Sequence, residues 1–435
     1  GWNFALTPIV EVAREHRVIT TEQVRRPWER ANRYFVENVL GALDAPGEWF
    51  LDYETGRLYF MPPDGGAPAD GDVTVPVTDS IIDLRGALPY PHEYLHVGFG
   101  GGRGDASPPE DAPEPAPVEH IVLRGLTVQE ARQDAIVLTG AQNCAVIGCT
   151  VRDAGNVGVN LGEVANAEGE VGNPRVTEPT GFSGGVGGGG QNILFNDPCM
   201  DCRVIGCDVL DCGADGIFLY GDRNVAENNH VRNTGLFDKD CACINLWGEA
   251  NVARRNTLHD VPRNAIYLKG IDQVVELNDL RWTMLETCDG GAIRMCQRNL
   301  QLRGNIIRNN RIFDTVGYGY PGGTYAFQSP YYSWGVYLDD FTCATTVEGN
   351  LIVRVGRAGV MLHGGSDNTV RGNVVVDAPT AGLEQAPIRE DSISGNLFQE
   401  NVISHDLESA LIYRSTRWVE GSLEFARNLV WAHDR

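Results

Sequence analysis

A short strand pattern recurs along most of the chain and constrains the fold more than any other feature. Each copy has a small residue, an aliphatic residue, any residue, a second aliphatic residue and again any residue, usually before a glycine. Successive side chains of a strand point to opposite faces, so the aliphatic pair faces one side and the variable pair the other. The copies are Ala135–Gly140, Gly158–Glu163, Gly216–Gly221, Cys243–Gly248, Ala265–Gly270, Ala292–Gln297, Gly335–Asp340, Gly359–Gly364 and, more loosely, Ala410–Ser415.

A second motif recurs between these strands and places an asparagine at the same point of each repeat. Its shortest spacings are 22 residues, from Asn256 to Asn278, and 23 residues, from Asn350 to Asn373. Asparagine tolerates the left-handed backbone of a tight corner. Its amide can also bond to an identical amide one layer away, at roughly 4.8 Å. The column contains Asn229, Asn256, Asn278, Asn310, Asn350, Asn373, Asn401 and Asn428, with Cys149 and Cys207 in the same place earlier.

These two motifs predict the fold class and the domain organisation. A period near 22 residues, with two or three short strands per turn, is typical of an all-β, right-handed parallel β-helix, in which each turn buries its aliphatic residues against its neighbours. We expect this solenoid over residues 71–435, with loops inserted at 104–118, 164–198 and 316–334. Residues 1–70 lack the repeat, but two aromatic-rich runs around Thr55-Gly56 predict a β-hairpin. We therefore expect a small N-terminal β-rich subdomain packed on the solenoid.

The composition excludes some partners and leaves the compartment open. The net charge of −23 disfavours binding to nucleic acid, because a negative surface repels another polyanion. The sequence has no apolar run of 18 residues, so no membrane-spanning helix is predicted. We expect a monomer. Eleven cysteines are few for a disulfide scaffold of this size. Two rungs align without gaps and stack Cys144 on Cys202, which favours a buried sulfur ladder, with or without a disulfide, over a zinc site at Cys199-x-x-Cys202.

The variable positions of successive strands contain a file of polar and aromatic residues. Equivalent positions of adjacent turns lie roughly 4.8 Å apart, so Asp339 should have Cys296 on one side and His363 on the other. By the same spacing Arg294 should lie beneath Tyr337. We expect these side chains to share an exposed furrow that binds substrate. The candidate binding residues are Trp247, Tyr267, Lys269, Arg294, Tyr337 and His363, and the aromatic loop 316–334 should lie beside them.

Three carboxylates near this file could perform acid–base chemistry. Glycoside hydrolysis needs two carboxyl groups across the scissile bond, about 5–5.5 Å apart for retention or 6.5–9.5 Å for inversion. Asp339 is the predicted principal carboxylate, and Asp289 or Asp340 is its partner. Neighbouring cations or His363 would separate the pKa values of the pair into an acid and a base. We expect Asp339→Asn to lower kcat by orders of magnitude with little change in the melting temperature.

Four blocks of the sequence resemble bacterial right-handed β-helix glycoside hydrolases, and most of all those of glycoside hydrolase family 141. The blocks are LDAPGEWFLDYETGRLYFMPP, DGGAIRM, GVYLDD and GVMLHGGSDNTVRGNVVVDAP. The resemblance implies α-fucosidase- or xylanase-like activity, with a catalytic aspartate at Asp339 or Asp340 and a second acidic residue at Asp289. The chain departs from these relatives at Gln297-Arg298-Asn299, where they have an acidic residue. It also has His363 where related β-xylosidases have an acid/base glutamate.

We therefore expect a glycoside hydrolase, secreted or periplasmic, that acts on a plant- or algal-type polysaccharide or its side chains. No cofactor is predicted, although a structural or catalytic Ca²⁺ ion stays open. The first alternative is a polysaccharide lyase or uronate epimerase, in which Lys269 or Arg294 is the base and a cation on Asp339 and Asp340 neutralises the uronate. The second is a carbohydrate-binding β-helix without catalysis.

Overall fold

The computed structural model describes most of the repeat region and part of the N-terminal region. The described residues are 7–22, 34–69, 73–88, 94–95, 103–104, 115–164, 195–196, 198–297, 300, 302–321, 326–389, 392–405 and 411–432. The chain divides into two compact units, one of Arg26–Val77 and one of Gly1–Arg25 with Thr78–Arg435. The packing of an N-terminal subdomain on the solenoid stays a prediction.

The larger unit is a parallel β-helix with three sheets, which confirms the predicted architecture. The first, which we call the site sheet, has fourteen strands. Eleven of them stack in the order Ile82–Arg85, Ile136–Thr139, Val159–Leu161, Ile217–Asp222, Ala242–Glu249, Asn264–Ile271, Gly290–Cys296, Ser333–Asp339, Ala358–His363, Ala381–Ala386 and Leu411–Ser415. Three short strands lie beside this stack, namely Val118–Glu119, Ala141–Gln142 and Cys199–Met200.

The other two sheets have eleven strands each, one from every turn. The second sheet contains Val122–Arg124, Ala145–Ile147, Arg203–Ile205, Val225–Glu227, Val252–Arg254, Val274–Glu276, Ile306–Arg308, Thr346–Glu348, Thr369–Arg371, Asn396–Gln399 and Leu423–Ala426. The third sheet contains Thr127–Ala131, Thr150–Ala154, Asp208–Cys212, His230–Arg232, Thr257–His259, Asp279–Thr283, Arg311–Thr315, Leu351–Val355, Val374–Val376, Val402–His405 and Leu429–Ala432.

The remaining described elements are short and antiparallel or helical. Trp49–Asp52 pairs with Arg57–Phe60, which confirms the predicted hairpin in the smaller unit. Three further antiparallel pairs join Ile9–Ala13 to Val18–Thr21, Tyr94–Leu95 to Arg103–Gly104, and Glu163–Val164 to Phe195–Asn196. The described helical segments are two 3₁₀ turns, Arg14–His16 and Leu40–Ala42. Among the described residues no helix has the length and hydropathy that crossing a membrane requires.

The small residue at the start of each repeat has a steric cause. A Cβ atom added to Gly335 would lie 2.5 Å from the Ile352 side chain and 2.8 Å from the Gly359 carbonyl oxygen. The site-sheet strand therefore passes so close to the third sheet that no larger side chain fits. The aliphatic residues that follow, such as Val336 and Leu338, are fully buried in one continuous core. The small residue of the strand pattern thus reflects the short distance between the site sheet and the third sheet.

The predicted asparagine column forms a continuous ladder at the corner before the third sheet. The Oδ1 atom of Asn310 accepts hydrogen bonds from the backbone N–H of Asn278 at 3.1 Å and from its amide nitrogen at 2.9 Å. Asn310 in turn donates to Asn350 and to the Val275 carbonyl oxygen. The same bonds connect every predicted member from Asn229 to Asn428.

A second polar ladder, absent from the sequence prediction, runs along the corner before the second sheet. The Asn251 Oδ1 atom accepts a hydrogen bond from the backbone N–H of Asn224 at 2.8 Å, and Asn396 accepts one from Asn368 at 3.0 Å. Gln273 and Thr345 occupy the intervening positions and bond to the next asparagine in the same way. Because its members vary in type, this ladder has no single-residue signature in the sequence.

The cysteines form no disulfides, and eight of them belong to the aliphatic core. All eleven are free and buried, including the stacked Cys144 and Cys202. The Cys202 thiol donates to the Ala141 carbonyl oxygen, and the Cys199 thiol to that of Leu138. The structure therefore has the predicted sulfur ladder in its reduced form.

The asparagine ladder predicts a large loss of stability when one of its internal side chains is truncated to alanine. Asn310→Ala should lower the free energy of unfolding by about 2–4 kcal/mol, because buried donors of Asn278 and the Val275 carbonyl oxygen lose their partner. Asn428→Ala, at the half-buried end of the same ladder, should cost less because water can replace the lost bonds. Urea unfolding followed by circular dichroism measures both. Equal losses at the two positions would contradict this account of the ladder.

Candidate active site

The register of the site sheet confirms the juxtapositions predicted for the polar file. Asp339 pairs with Cys296 across the neighbouring strands, and Tyr337 pairs with Arg294. Arg294 pairs in turn with Tyr267 on the strand before. In a parallel sheet, paired residues project to the same face, so these side chains share the outward face. The stacked rungs therefore bring together residues separated by up to 72 positions in the chain, from Tyr267 to Asp339.

Asp339 lies at the centre of a buried ionic cluster. Its side chain faces outward, away from the aliphatic core, but the residue is only 5% exposed. Arg294 Nη2 donates to Oδ2 at 2.6 Å, and His363 Nδ1 lies 2.8 Å from Oδ1. The backbone N–H of Asp340 donates to the same Oδ1 at 2.9 Å. Both carboxylate oxygens of Asp339 are thus engaged by donors.

The cluster fixes the charges of its members. Burial opposes ionisation of Asp339, yet the charges and hydrogen bonds of Arg294 and His363 hold its pKa well below the ordinary value of 3.8. Burial likewise opposes the imidazolium form of His363, but the hydrogen bond to Asp339 and the charges of Asp339, Asp340 and Asp289 raise its pKa above 6.5. The carboxylate of Asp339 therefore lies between the Arg294 guanidinium and an imidazole whose protonated form it favours.

Asp340 extends the cluster towards solvent. Its Oδ1 atom lies 3.4 Å from His363 Nδ1, and its side chain is more exposed than that of Asp339. The backbone of Asp340 has a φ of +32°, so the chain turns sharply at the end of the strand. One carboxylate oxygen of Asp339, one of Asp340 and the Cys296 thiol all lie within 4.8 Å of one another. The predicted pairing of the two aspartates is thus present.

This convergence of potential ligands is a poor fit for calcium. Calcium takes six to eight oxygen ligands, whereas this group offers two carboxylates and a thiol. Burial, followed by the charge of Asp339, raises the pKa of Cys296 to about 12, so the thiol stays protonated. Asp339 is already neutralised by Arg294 and His363.

Asp289 joins the cluster from the neighbouring turn. Its Oδ1 atom accepts a hydrogen bond from the Tyr337 hydroxyl at 3.3 Å, and its side chain is half-buried. The backbone is held by Tyr332, whose carbonyl oxygen accepts the Asp289 N–H, and by Arg263, which donates to the Asp289 carbonyl oxygen. Burial, together with the charges of Asp339 and Asp289, raises the pKa of Tyr337. Tyr337 therefore acts as a neutral donor to Asp289.

The prediction that the whole polar file is exposed in a furrow is wrong, because some of its side chains are buried. Lys269 is 1% exposed, and Trp247 and Tyr337 are also buried. The reason is mutual packing, because Lys269 Nζ lies 5.2 Å from the centre of the Trp247 ring, and Arg294 lies within 6 Å of the Tyr267 and Tyr337 rings. The predicted role of Trp247 in binding has no exposed ring face to support it. Tyr267, Arg294, Asp340, His363 and Asp289 keep partial exposure.

A second buried carboxylate was missed by the sequence analysis. Glu384 pairs with Met361, which pairs with Tyr337, so it continues the same file by two turns. It is fully buried, and Arg357 binds both of its oxygens at 2.6 and 2.7 Å. Trp334 Nε1 donates to it at 2.9 Å. The signal was the AGLEQA strand, in which Gly382 and Leu383 match the start of the repeat but Gln385 replaces its second aliphatic residue.

The aromatic loop leads into the site strand as predicted. Trp334 packs against Tyr337 with ring centres 4.6 Å apart, and Tyr332 packs against Trp334 at 4.8 Å. Further from the strand, Phe327 stacks on Tyr318 at 5.2 Å and is exposed. Tyr325 and most of the insertions at 104–118 and 164–198 lie outside the described residues.

Comparisons with known proteins agree with this architecture. The family model described as "Right handed beta helix region" matches residues 242–428, which is less than half of the chain. No curated protein sequence matches. Fifty solved chains match in structure. These likenesses concern the fold alone.

Three of the similar solved structures have low sequence identity. The A-module of mannuronan C-5 epimerase AlgE4 from Azotobacter vinelandii is 12% identical, with a TM-score of 0.45, over 72% of this chain and 80% of that one. The catalytic unit of a GH87 α-1,3-glucanase from Streptomyces thermodiastaticus is 15% identical, with a TM-score of 0.49, over 73% of this chain and 57% of that one. DFA-IIIase from Arthrobacter chlorophenolicus A6 is 14% identical, with a TM-score of 0.37, over 69% and 70%. The match thus spans less than two thirds of the glucanase unit.

The burial of Asp339 changes the outcome expected for its substitution. Asp339→Asn should lower the free energy of unfolding by about 3–5 kcal/mol, because it leaves the charges of Arg294 and His363 without their counter-ion. This replaces the expectation of an unchanged melting temperature. Asp79→Asn, which breaks the exposed pair with Arg132, should cost less than about 1 kcal/mol.

The same cluster predicts a pH dependence of stability. The lowered pKa of Asp339 contributes stability above its unfolded value of about 3.9 that is lost as the pH falls through the folded value. The raised pKa of His363 contributes stability below its unfolded value of about 6.5 that is lost as the pH rises through the folded value. Melting temperatures between pH 4 and 9 should therefore decline on the alkaline side, and less so in Asp339→Asn. Parallel profiles for the two proteins would argue against the coupling.

Proposed function

We propose that this protein is a glycoside hydrolase that acts on an oligo- or polysaccharide. The observation that carries the proposal is the pair of adjacent carboxylates, Asp339 and Asp340, which share one imidazole, that of His363, on the outward face of the solenoid. Glycosidic cleavage needs a proton donor for the leaving oxygen and an ionised carboxylate for the water or the sugar cation. This cluster combines both kinds of group.

The electrostatics divide these roles among the residues. Asp339 is not a proton donor, because Arg294 and His363 hold it ionised. Its negative charge favours the protonated form of His363 and orients the ring through Nδ1. In the imidazolium form the other ring nitrogen of His363 also carries a proton, and we assign it as the donor to the leaving glycosidic oxygen.

The base is one of the two carboxylates with more solvent access. Asp289 is half-buried and accepts a hydrogen bond from Tyr337. Asp340 adjoins His363 at 3.4 Å. Either could take the proton of an attacking water, or attack the anomeric carbon itself. Tyr267 and Arg294 are partly exposed and are then available to contact the sugar. Lys269 and Trp247 are buried.

The substrate class follows from the sequence resemblance, not from the site. The resemblance to glycoside hydrolase family 141 supports a plant- or algal-type substrate and an α-fucosidase- or xylanase-like activity. A polymer of that kind is met outside the cytoplasm, which supports a secreted or periplasmic protein. The lyase alternative is weaker, because the charge of Asp339 raises the pKa of Arg294 despite burial, and a base must first lose its proton.

Replacing the proposed donor should change the rate and its pH profile together. His363→Gln should lower kcat by about 10²–10⁴-fold on a panel of plant and algal glycans, measured by reducing-end release. In the unmodified protein, kcat should fall as the pH rises through the raised pKa of His363, and this alkaline limb should be absent from the variant. An unchanged kcat in His363→Gln would remove it from the mechanism. Products that absorb in the near-ultraviolet would instead select the lyase reading.

Replacing Asp289 should separate catalysis from stability. Asp289→Asn should lower kcat by about 10²–10⁴-fold if Asp289 is the base, while the melting temperature stays nearly constant because a single 3.3 Å contact is altered. Glu286→Gln is the matched control, since Glu286 lies on the same loop as Asp289. Its partly exposed carboxylate pairs with Lys239. Full activity in Asp289→Asn would leave Asp340 as the base.

A further inference from the structure

Glu384 is a buried carboxylate to which the proposed hydrolysis assigns no role. Its side chain is only 1% exposed, so neighbouring groups must balance its charge. Arg357 donates to both of its oxygens, at 2.6 and 2.7 Å, and Trp334 Nε1 donates at 2.9 Å. Arg414 Nη1 lies further away, at 3.7 Å. Glu384 therefore fixes the side chains of Arg357 and Trp334 relative to each other.

These two donors pack against two tyrosines of the site. The guanidinium carbon of Arg357 lies 4.8 Å from the centre of the Tyr332 ring, and the Trp334 ring centre lies 4.8 Å from that of Tyr332. Trp334 also packs against Tyr337, with ring centres 4.6 Å apart. A movement of Arg357 or Trp334 would therefore change the packing of both tyrosines.

The same two tyrosines hold Asp289. The Tyr332 carbonyl oxygen accepts the Asp289 N–H at 2.8 Å, and the Tyr337 hydroxyl donates to Asp289 Oδ1 at 3.3 Å. The backbone of Tyr332 has a φ of +46°, and that of Asp289 a φ of +62°. A positive φ is unfavourable for a bulky residue and persists only where the surrounding packing enforces it. At Tyr332 the contacts of its ring with Arg357 and Trp334 supply that packing.

We propose that Glu384 is a positioning residue for Asp289, and that it acts through Arg357 and Trp334 on the two tyrosines that hold this carboxylate. This role rests on the proposed function, with Asp289 as the base. Glu384 is too buried to contact a sugar itself. A base must lie within hydrogen-bond reach of the proton that it takes, and a displacement of about 1 Å can lower a rate by about 100-fold.

Glu384→Gln tests this role, because glutamine keeps the shape of the side chain and removes the charge that holds Arg357. We expect kcat to fall by about 10–100-fold while KM stays nearly constant. Reducing-end release from the glycan that the unmodified protein cleaves measures both constants. Arg414→Gln is the matched control, since it removes only the longer and more exposed contact to the same carboxylate. It should leave kcat and KM unchanged.

A double variant separates positioning from a merely structural role. Glu384→Gln combined with Asp289→Asn should have the same kcat as Asp289→Asn alone, because the position of a base no longer matters once the base is removed. Effects that multiply would overturn the proposal. So would a raised KM with an unchanged kcat, which would place Glu384 or Arg357 in substrate binding, and so would an unchanged kcat and KM.

A second variant keeps the test open if Glu384→Gln does not fold, which circular dichroism reveals. Arg357→Lys keeps the positive charge but loses the planar group that binds both oxygens of Glu384 and packs on Tyr332. We expect it to lower kcat with little change in KM, as Glu384→Gln does. Full activity in Arg357→Lys would overturn the proposal.

Crystal structures of the unmodified protein and of Glu384→Gln give a readout that needs no activity. We expect Tyr332 and Asp289 to move by about 1 Å in the variant, with Asp339 and His363 in place. An unmoved Asp289 would overturn the positioning role even if the protein is a hydrolase. If Asp289 moves but the unmodified protein cleaves no glycan, the proposed function fails and the structural coupling holds. Full activity in Asp289→Asn would overturn the role in catalysis and leave Asp340 as the base.

Discussion

The in-register stacking of parallel strands is the constraint on which the rest of this structure depends. Each turn of the solenoid bonds to the next through three sheets, and the asparagine ladder fixes the corner between two of them. Because side chains alternate between faces, a slip of one residue would exchange the core and the outward surface of a strand. Asp339 would then point into the aliphatic interior, and Leu338 would take its place beside Arg294.

Register also explains how so many polar groups remain buried on one face. Arg294, Asp339 and His363 stand on three successive strands, so each charge meets an opposite charge one rung away. Glu384 and Arg357 repeat this arrangement two turns further along, with Trp334 as an additional donor. A buried ion pair of this kind is costly to break, since removal of one partner leaves the other charge unpaired. The cluster is therefore a rigid support, and the chemistry is assigned to the groups at its rim.

The same geometry brings other polar side chains together on the third sheet. A strand-to-strand diagonal brings His230 and His259 together, much as a direct rung-to-rung step brings Asp339 and Cys296 together. The solenoid thus places different groups of polar side chains on different sheets.

The sequence alone was sufficient for the parallel β-helix, the asparagine ladder and the neighbours of Asp339, because these features repeat with a constant period and the register follows from the repeat. It did not reveal the second polar ladder or Glu384, since the members of the ladder vary in type and the strand of Glu384 has Gln385 in place of the second aliphatic residue. Nor did it reveal that Lys269 and Trp247 are buried or that His230 and His259 meet. Periodicity specifies which residues are neighbours and which face they share. Only the tertiary structure decides the conformation of a side chain, its burial and its charged neighbours. These depend on contacts between side chains that have no fixed spacing in the chain.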